Sequence, residues 1–244
     1  MKQEFEKYTK EDLEVWNTLF KRQTRNIVDK ASLEYQEALV KISPVINAHE
    51  LPNFKKINEW FKETTSWEVV CVPGLIEVDD FFTLLANKKF PSSAWLRSKE
   101  KLNYLEEPDM FHDIYGHIPL LSNPKYSNFV HQFGKIGLEY IHDEVKLLEL
   151  QRLYWFTIEF GLIQEDKLRI YGAGILSSFG ETKRSLIKES VTHKAFDLTE
   201  ILQKEFITSE MQDTYFCLNN FEQLENTIKQ IKDLWYEDKM ERVC

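Results

Sequence analysis

Residues 108–119 read "PDMFHDIYGHIP", and the interpretation of the whole chain turns on them. Two histidines, His112 and His117, stand five apart around Gly116, with Pro108 and Pro119 at the ends. Pro108 suits the first turn of a helix, where a missing N–H has no partner to lose. Gly116 suits the residue just past a helix end, and Pro119 blocks continuation. The spacing therefore predicts a short helix over 108–115, with His112 inside it and His117 just beyond. On a continuous α-helix, residues five apart point about 140° apart. A break at Gly116 would let the second imidazole swing back toward the first. The pattern alone is weak, because most such pairs bind nothing, and a metal site needs a third ligand from elsewhere.

A candidate lies in "LYWFTIEFGLI", residues 153–163, whose one charged residue is Glu159. A helix this apolar all round is expected to be buried. An isolated buried carboxylate is costly, so it must protonate, pair or bind a metal. Trp155, four residues earlier, shares its face. A salt bridge to lysine or arginine is the ordinary explanation. Two histidines and a carboxylate also match the facial triad of non-haem Fe(II) sites, while zinc accepts the same donors. Ligand type leaves the metal open.

Three flanking stretches are candidates for binding. In "AWLRSKEKLNYLEEPD", residues 94–109, Arg97 could grip a carboxylate bidentately, although a surface arginine is the default. "YGAGILSSFGE", residues 171–181, predicts a tight loop with exposed N–H groups that could hold a small polar ligand. It lacks the GxxxxGK[ST] pattern of a phosphate loop. In "VPGLIEVDDFFTLL", residues 72–85, Phe81 and Phe82 are core by default, or one stacks on a planar cofactor.

The rest of the chain reads as scaffold. Capping at Thr9 and Asp12 opens a helix with Leu13, Trp16 and Phe20 on one face. Stripes at Ala31, Tyr35, Ala38, Leu39 and Ile42, at Phe54, Ile57 and Phe61, and at Phe221, Leu224, Ile228, Ile231 and Leu234 predict further helices. "WEVVCV", "KLRIYG" and "DTYFCL" predict short strands near residues 70, 170 and 216. The fold class is mainly α (α+β), one domain over 1–244 with packed helices and a few short strands. All eight glycines fall between residues 67 and 182, so special backbone positions, and with them function, concentrate in that core, with helical scaffold at both ends.

Composition excludes several classes. The net charge of -9 repels phosphate backbones, so nucleic acid is not an expected partner. No run of eighteen apolar residues predicts a membrane span, and the charged N-terminus has no signal core. Three widely spaced cysteines, Cys71, Cys217 and Cys244, form no CxxC, which favours a reducing, cytoplasmic setting.

Three blocks, "EEPDMFHDIYGHIPLL" (106–121), "YWFTIEFGL" (154–162) and "YGAGILSSFGE" (171–181), occur in one order. They resemble the EPD…H…GH-P signature, third-ligand helix and substrate loop of the pterin-dependent aromatic amino acid hydroxylases. The resemblance is strongest from Pro73 to Glu181 and weaker out to about residue 230. It is closest to the short bacterial members that hydroxylate phenylalanine, which are essentially a bare catalytic domain.

That resemblance implies helices packed around a mononuclear Fe(II) site held by His112, His117 and Glu159. It implies tetrahydrobiopterin or a related tetrahydropterin as reductant, dioxygen as co-substrate, and conversion of phenylalanine to tyrosine. Tyrosine and tryptophan hydroxylases share the same machinery. Residue by residue, Arg97 matches the arginine that grips the substrate carboxylate, and Asp109 the acid that orients it. Trp155, Gly174 and Ser177 match the substrate pocket. Gly74, Leu75 and Phe81 match the pterin site, where Asp113 stands in place of a glutamate and could reach the pterin through water. Leu105 replaces a threonine common in animal members. Glu181 matches an acid near the site without an assigned role. No regulatory domain and no tetramer-forming heptad helix is recognised, so a monomer without activation by phenylalanine is expected. Two competing readings are a zinc hydrolase with the same triad and a non-enzymatic helical interaction domain. The second leaves Glu159 and the histidine pair unexplained.

Overall fold

Long amphipathic stretches joined by short turns build a mostly helical chain, and the computed structural model describes residues 1–103 and 107–241 of it. Leu105 and Cys244 lie outside the described residues. The first helix, α1 (Lys10–Asn26), starts with a reciprocal capping box between Thr9 and Asp12. It buries Val15, Trp16, Leu19 and Gln23, while Leu13 is 38% exposed. The apolar stripe thus runs beside Leu13 rather than through it. Helices α2 (Leu33–Ile42) and α3 (Phe54–Lys62) bury Tyr35, Ala38 and Ile42, and Phe54, Ile57 and Phe61.

Strand β1 (Glu68–Val72), helix α4 (Val78–Ala86) and strand β2 (Lys89–Ser93) form a parallel crossover unit, paired from Glu68↔Lys89 to Val72↔Ser93. The strand "KFPSS" had no sequence signal, since Pro91 argues against a strand unless it lies at an edge. In this two-stranded sheet every strand is an edge. Two helices follow, α5 (Pro124–Glu139) and α6 (Glu144–Tyr154).

The chain then departs from the sequence-based picture twice. Residues 153–163 are not one helix. Helix α6 ends at Tyr154, a π-helical turn spans Trp155–Glu159, and the chain enters strand β3 (Leu162–Gln164). Leu162 and Ile163 are apolar because they pair within a sheet: β3 is antiparallel to β4 (Leu168–Ile170). Nor are residues 171–181 a loop. They form helices α7 (Ala173–Ser177) and α8 (Phe179–Arg184), largely buried. Strand β5 (Thr192–Ala195), helix α9 (Leu198–Gln203), strand β6 (Thr214–Leu218) and helix α10 (Phe221–Glu241) complete the chain. The sheet order is β4-β3-β6-β5, with β6 parallel to both neighbours.

One cluster of buried side chains runs from Val15 on α1 to Trp235 on α10. Among the described residues, no helix is long and apolar enough to cross a membrane.

Candidate metal centre

Both segments that carry the candidate ligands are wound as π-helix, His112–His117 and Trp155–Glu159. In a π-turn the N–H bonds five residues back, as Phe160 N–H does to the Trp155 carbonyl at 2.9 Å. Residues five apart then lie on one face, and that is the spacing of His112 and His117. The expected break at Gly116 is therefore a correction: the helix begins at Met110 and stays wound through His117. Pro119 cannot donate to the Tyr115 carbonyl, and the Tyr35 hydroxyl donates to it instead.

Gly116 has a different task. A Cβ there would stand 2.8 Å from the Ala173 carbonyl oxygen of α7. On the far side of α7, a Cβ on Gly172 would meet the Glu159 carbonyl oxygen at 2.5 Å. One on Gly174 would meet Glu159 Oε2 at 3.1 Å. Helix α7 is thus a thin wedge between the two ligand turns, and the glycines read as loop-formers serve close approach instead.

The three donors converge. His112 Nε2 lies 3.1 Å from His117 Nε2. His117 Nε2 is 3.0 Å from Glu159 Oε1, and His112 Nε2 is 3.7 Å from Glu159 Oε2. Two donors held about 2.1 Å from one ion at right angles stand about 3 Å apart, so this set fits a single metal ion. Among the described residues no lysine or arginine pairs with Glu159, which removes the ordinary salt-bridge explanation. Burial opposes ionisation of Glu159, but the two imidazoles outweigh it and hold the carboxyl well below the usual range. Burial also lowers His117, despite Glu159, and keeps that ring in its ligating form. His112 is pushed down by burial and up by Glu159, and the net shift is upward.

His112 Nδ1 lies 2.9 Å from Ser177 Oγ, which donates its own hydrogen to the Ala173 carbonyl at 2.8 Å. The imidazole N–H therefore sits on Nδ1, leaving the Nε2 lone pair for the centre. Ser177, expected in the substrate pocket, touches a candidate ligand. His117 Nδ1 is buried with no hydrogen-bond partner among the described residues.

Arg97 is not a surface arginine. Its side chain is 9% exposed and clamps Asp109 bidentately, with Nε to Oδ2 at 2.7 Å and Nη2 to Oδ1 at 2.8 Å. Asp109 Oδ1 also accepts the His112 N–H at 3.0 Å, the bond of a helix N-cap. One carboxylate thus joins the arginine to the first ligand turn. Pro108 precedes this cap rather than opening the helix.

On the other side, Phe81 packs edge-on against Tyr154, with ring centroids 5.3 Å apart. Tyr154 in turn stacks on His117 at 6.3 Å. Phe90 flanks the same imidazole at 4.7 Å. Asp113 is buried and accepts the Ser93 N–H at 2.8 Å. Burial raises its carboxyl to about 7, against the opposing effects of His112 and Ser93. Gly74 and Leu75 lie on the turn between β1 and α4, and Leu75 is 75% exposed. Tyr154, Phe90 and Ser93 were not singled out from the sequence. Tyr154 had a signal, its place in the apolar run beside Glu159, while Phe90 and Ser93 had none.

Trp155 is half-buried. Its indole N–H donates to Gln212 Oε1 at 2.9 Å, and its ring packs between Phe160 and Phe206. Glu181 accepts the Gln212 backbone N–H at 3.0 Å and the Tyr215 hydroxyl.

Comparison with known proteins places this geometry. Residues 4–241 match the family described as biopterin-dependent aromatic amino acid hydroxylase. The phenylalanine-4-hydroxylase of Chromobacterium violaceum is 41% identical over 223 residues, covering 91% of this chain and 74% of that protein. That of Pseudomonas aeruginosa is 41% identical over 218 residues, covering 89% and 81%. A crystal structure of the Chromobacterium violaceum enzyme with iron(III) and 7,8-dihydrobiopterin superposes with a TM-score of 0.91 at 40% identity, covering 98% of this chain and 86% of that one. The apo structure of the cold-active phenylalanine hydroxylase from Colwellia psychrerythraea gives 0.89 at 38% identity, covering 96% and 90%.

Proposed function

We infer that this chain, which belongs to the biopterin-dependent aromatic amino acid hydroxylase family, is a phenylalanine 4-monooxygenase. It hydroxylates L-phenylalanine to L-tyrosine with dioxygen and a tetrahydropterin at a non-haem Fe(II). The observation that supports the residue assignments is the convergence of His112, His117 and Glu159 with no competing cation on the carboxylate among the described residues.

We assign His112 Nε2, His117 Nε2 and the Glu159 carboxylate as the iron ligands. Iron and reduced pterin, when bound, supply the activation of dioxygen. The residues around them bind, orient and keep water out. Arg97 is the carboxylate-binding residue for the amino acid, because Asp109 takes Nε and Nη2 and leaves Nη1, which no described residue engages. In that buried place each partner satisfies the other's hydrogen bonds. Asp109 also caps the turn that carries His112, so the amino acid and the metal share one anchor. Ser177 keeps the His112 proton on Nδ1. Gly174 leaves room beside Glu159, and Trp155 forms a wall of the amino acid pocket. Phe81, Gly74, Leu75 and Asp113 are assigned to the pterin side. Asp113 is tied to Ser93 N–H, so a contact from it to the pterin through water fits better than a direct one.

We further propose that the whole chain is one catalytic domain acting as a cytoplasmic monomer, a setting that suits the free thiols of Cys71 and Cys217. Product analysis tests the central reading. Incubation with Fe(II), tetrahydropterin, oxygen and each aromatic amino acid in turn should yield tyrosine from phenylalanine as the main product. Preferential hydroxylation of tryptophan or tyrosine would overturn the substrate assignment. Light scattering on an eluting column checks the oligomeric state.

A further inference from the structure

Segment 204–213 has no regular secondary structure, and it crosses over Trp155. Within it Ile207 is 58% and Met211 49% exposed, yet Gln212 is 7% exposed and every polar atom of its amide is engaged. Its Oε1 accepts the Trp155 indole N–H at 2.9 Å, and its Nε2 donates to the carbonyls of Ile207 and Glu210, both at 3.0 Å. Its backbone N–H is held at 3.0 Å by Glu181 of α8, whose other oxygen takes the Tyr215 hydroxyl of β6. Phe206, near the start of the segment, stacks on the indole with centroids 4.7 Å apart and planes 21° apart.

We propose that Gln212 is a positioning residue for the amino acid pocket: it fastens segment 204–213 over Trp155 and fixes the indole, while Glu181 fixes Gln212. The physical basis is that a half-buried indole whose N–H is held by a side-chain acceptor takes its ring orientation from that partner. Trp155 opens the π-turn that ends at Glu159, so a rotated indole also strains the turn that carries a candidate ligand. The Gln212 carboxamide joins the crossing segment to the ligand turn, and its backbone N–H joins both to α8 and, through Glu181, to β6. No other described side chain joins the indole to that segment by a hydrogen bond. This inference rests on the reading of Trp155 as a pocket wall.

The test combines kinetics with hydrogen–deuterium exchange on the full-length enzyme. Loss of one hydrogen bond of this kind should raise KM for phenylalanine about fivefold to tenfold in Gln212→Ala. KM for the tetrahydropterin should stay within about twofold. Amide exchange should rise across 204–213 and 155–159. Glu181→Ala should reproduce the effect. Glu181→Gln, the same shape with an acceptor retained, should restore it to near wild type. Trp155→Phe and Gln212→Ala should be non-additive in kcat/KM, since both remove one bond. Equal increases in both KM values, or a lowered Tm without the split, would overturn the proposal. Unchanged exchange in Gln212→Ala would overturn it as well. If the wild type hydroxylates no aromatic amino acid, the functional reading fails, and exchange alone then decides whether the clamp exists.

Discussion

The two sides of the candidate centre are held by different physics. On one side the ligand turns, α7 and the Arg97–Asp109 pair are locked by hydrogen bonds and an ion pair of 2.7–3.0 Å among largely buried groups. On the other, the turn at Gly74 and Leu75 is open, and Phe81 meets Tyr154 only edge to face at 5.3 Å. The difference fits the roles proposed for the two sides. A metal ion and an amino acid carboxylate demand directed donors in fixed places. A planar cofactor that leaves after each turnover needs a flat apolar surface with an accessible rim.

That contrast can be broken or sharpened by graded substitutions. Glu159→Ala should lose iron and at least about a thousandfold of turnover while circular dichroism shows the fold intact. Retained activity would dissolve the triad. Arg97→Ala should raise KM for phenylalanine about tenfold to a hundredfold, with KM for the pterin nearly unchanged. A rise of the same size in both would mean that the two sides are not separate. Ser177→Ala frees the His112 ring, and metal titration should show about tenfold weaker binding. Phe81→Ala should mirror Arg97→Ala more faintly, raising KM for the pterin about twofold to tenfold and sparing phenylalanine. Leu75→Ala, at an exposed rim, should leave stability within about 0.5 kcal/mol in thermal melts. A large loss of stability there would show the pterin side to be as tightly built as the metal side.

Much of this was legible in the sequence because burial and capping leave periodic marks. Thr9 with Asp12, the stripe through Phe54, Ile57 and Phe61, and the carboxylate in an apolar run each pointed to their structural role. What escaped has physical reasons. A π-turn carries no residue signature of its own, so two histidines five apart looked as though they needed a broken helix. Glycine signals a turn and a close approach equally well, and in residues 171–181 it was the approach that counted. Arg97 reads as a surface arginine by default because its buried partner, Asp109, stands twelve residues on, and it was the family resemblance rather than the local pattern that paired the two. Pro91 concealed β2, since a lone edge strand tolerates what a central one does not. Gln212 gave no sign at all, because its importance lies entirely in whom it meets.

The thin wedge has a dynamic consequence. Helix α7 is five residues long, includes Gly174, and begins at Gly172 without a side-chain cap. A helix that short and that poor in propensity cannot persist in water. It exists only while both ligand turns press on it. Its amides, such as Leu176 N–H bonded to the Gly172 carbonyl at 2.9 Å, have no local fraying of their own to report. They should exchange with solvent in one cooperative event with the ligand turns, more slowly once a metal ion draws those turns together. The shortest α-helix among the described residues is then the most faithful gauge of whether the centre is assembled.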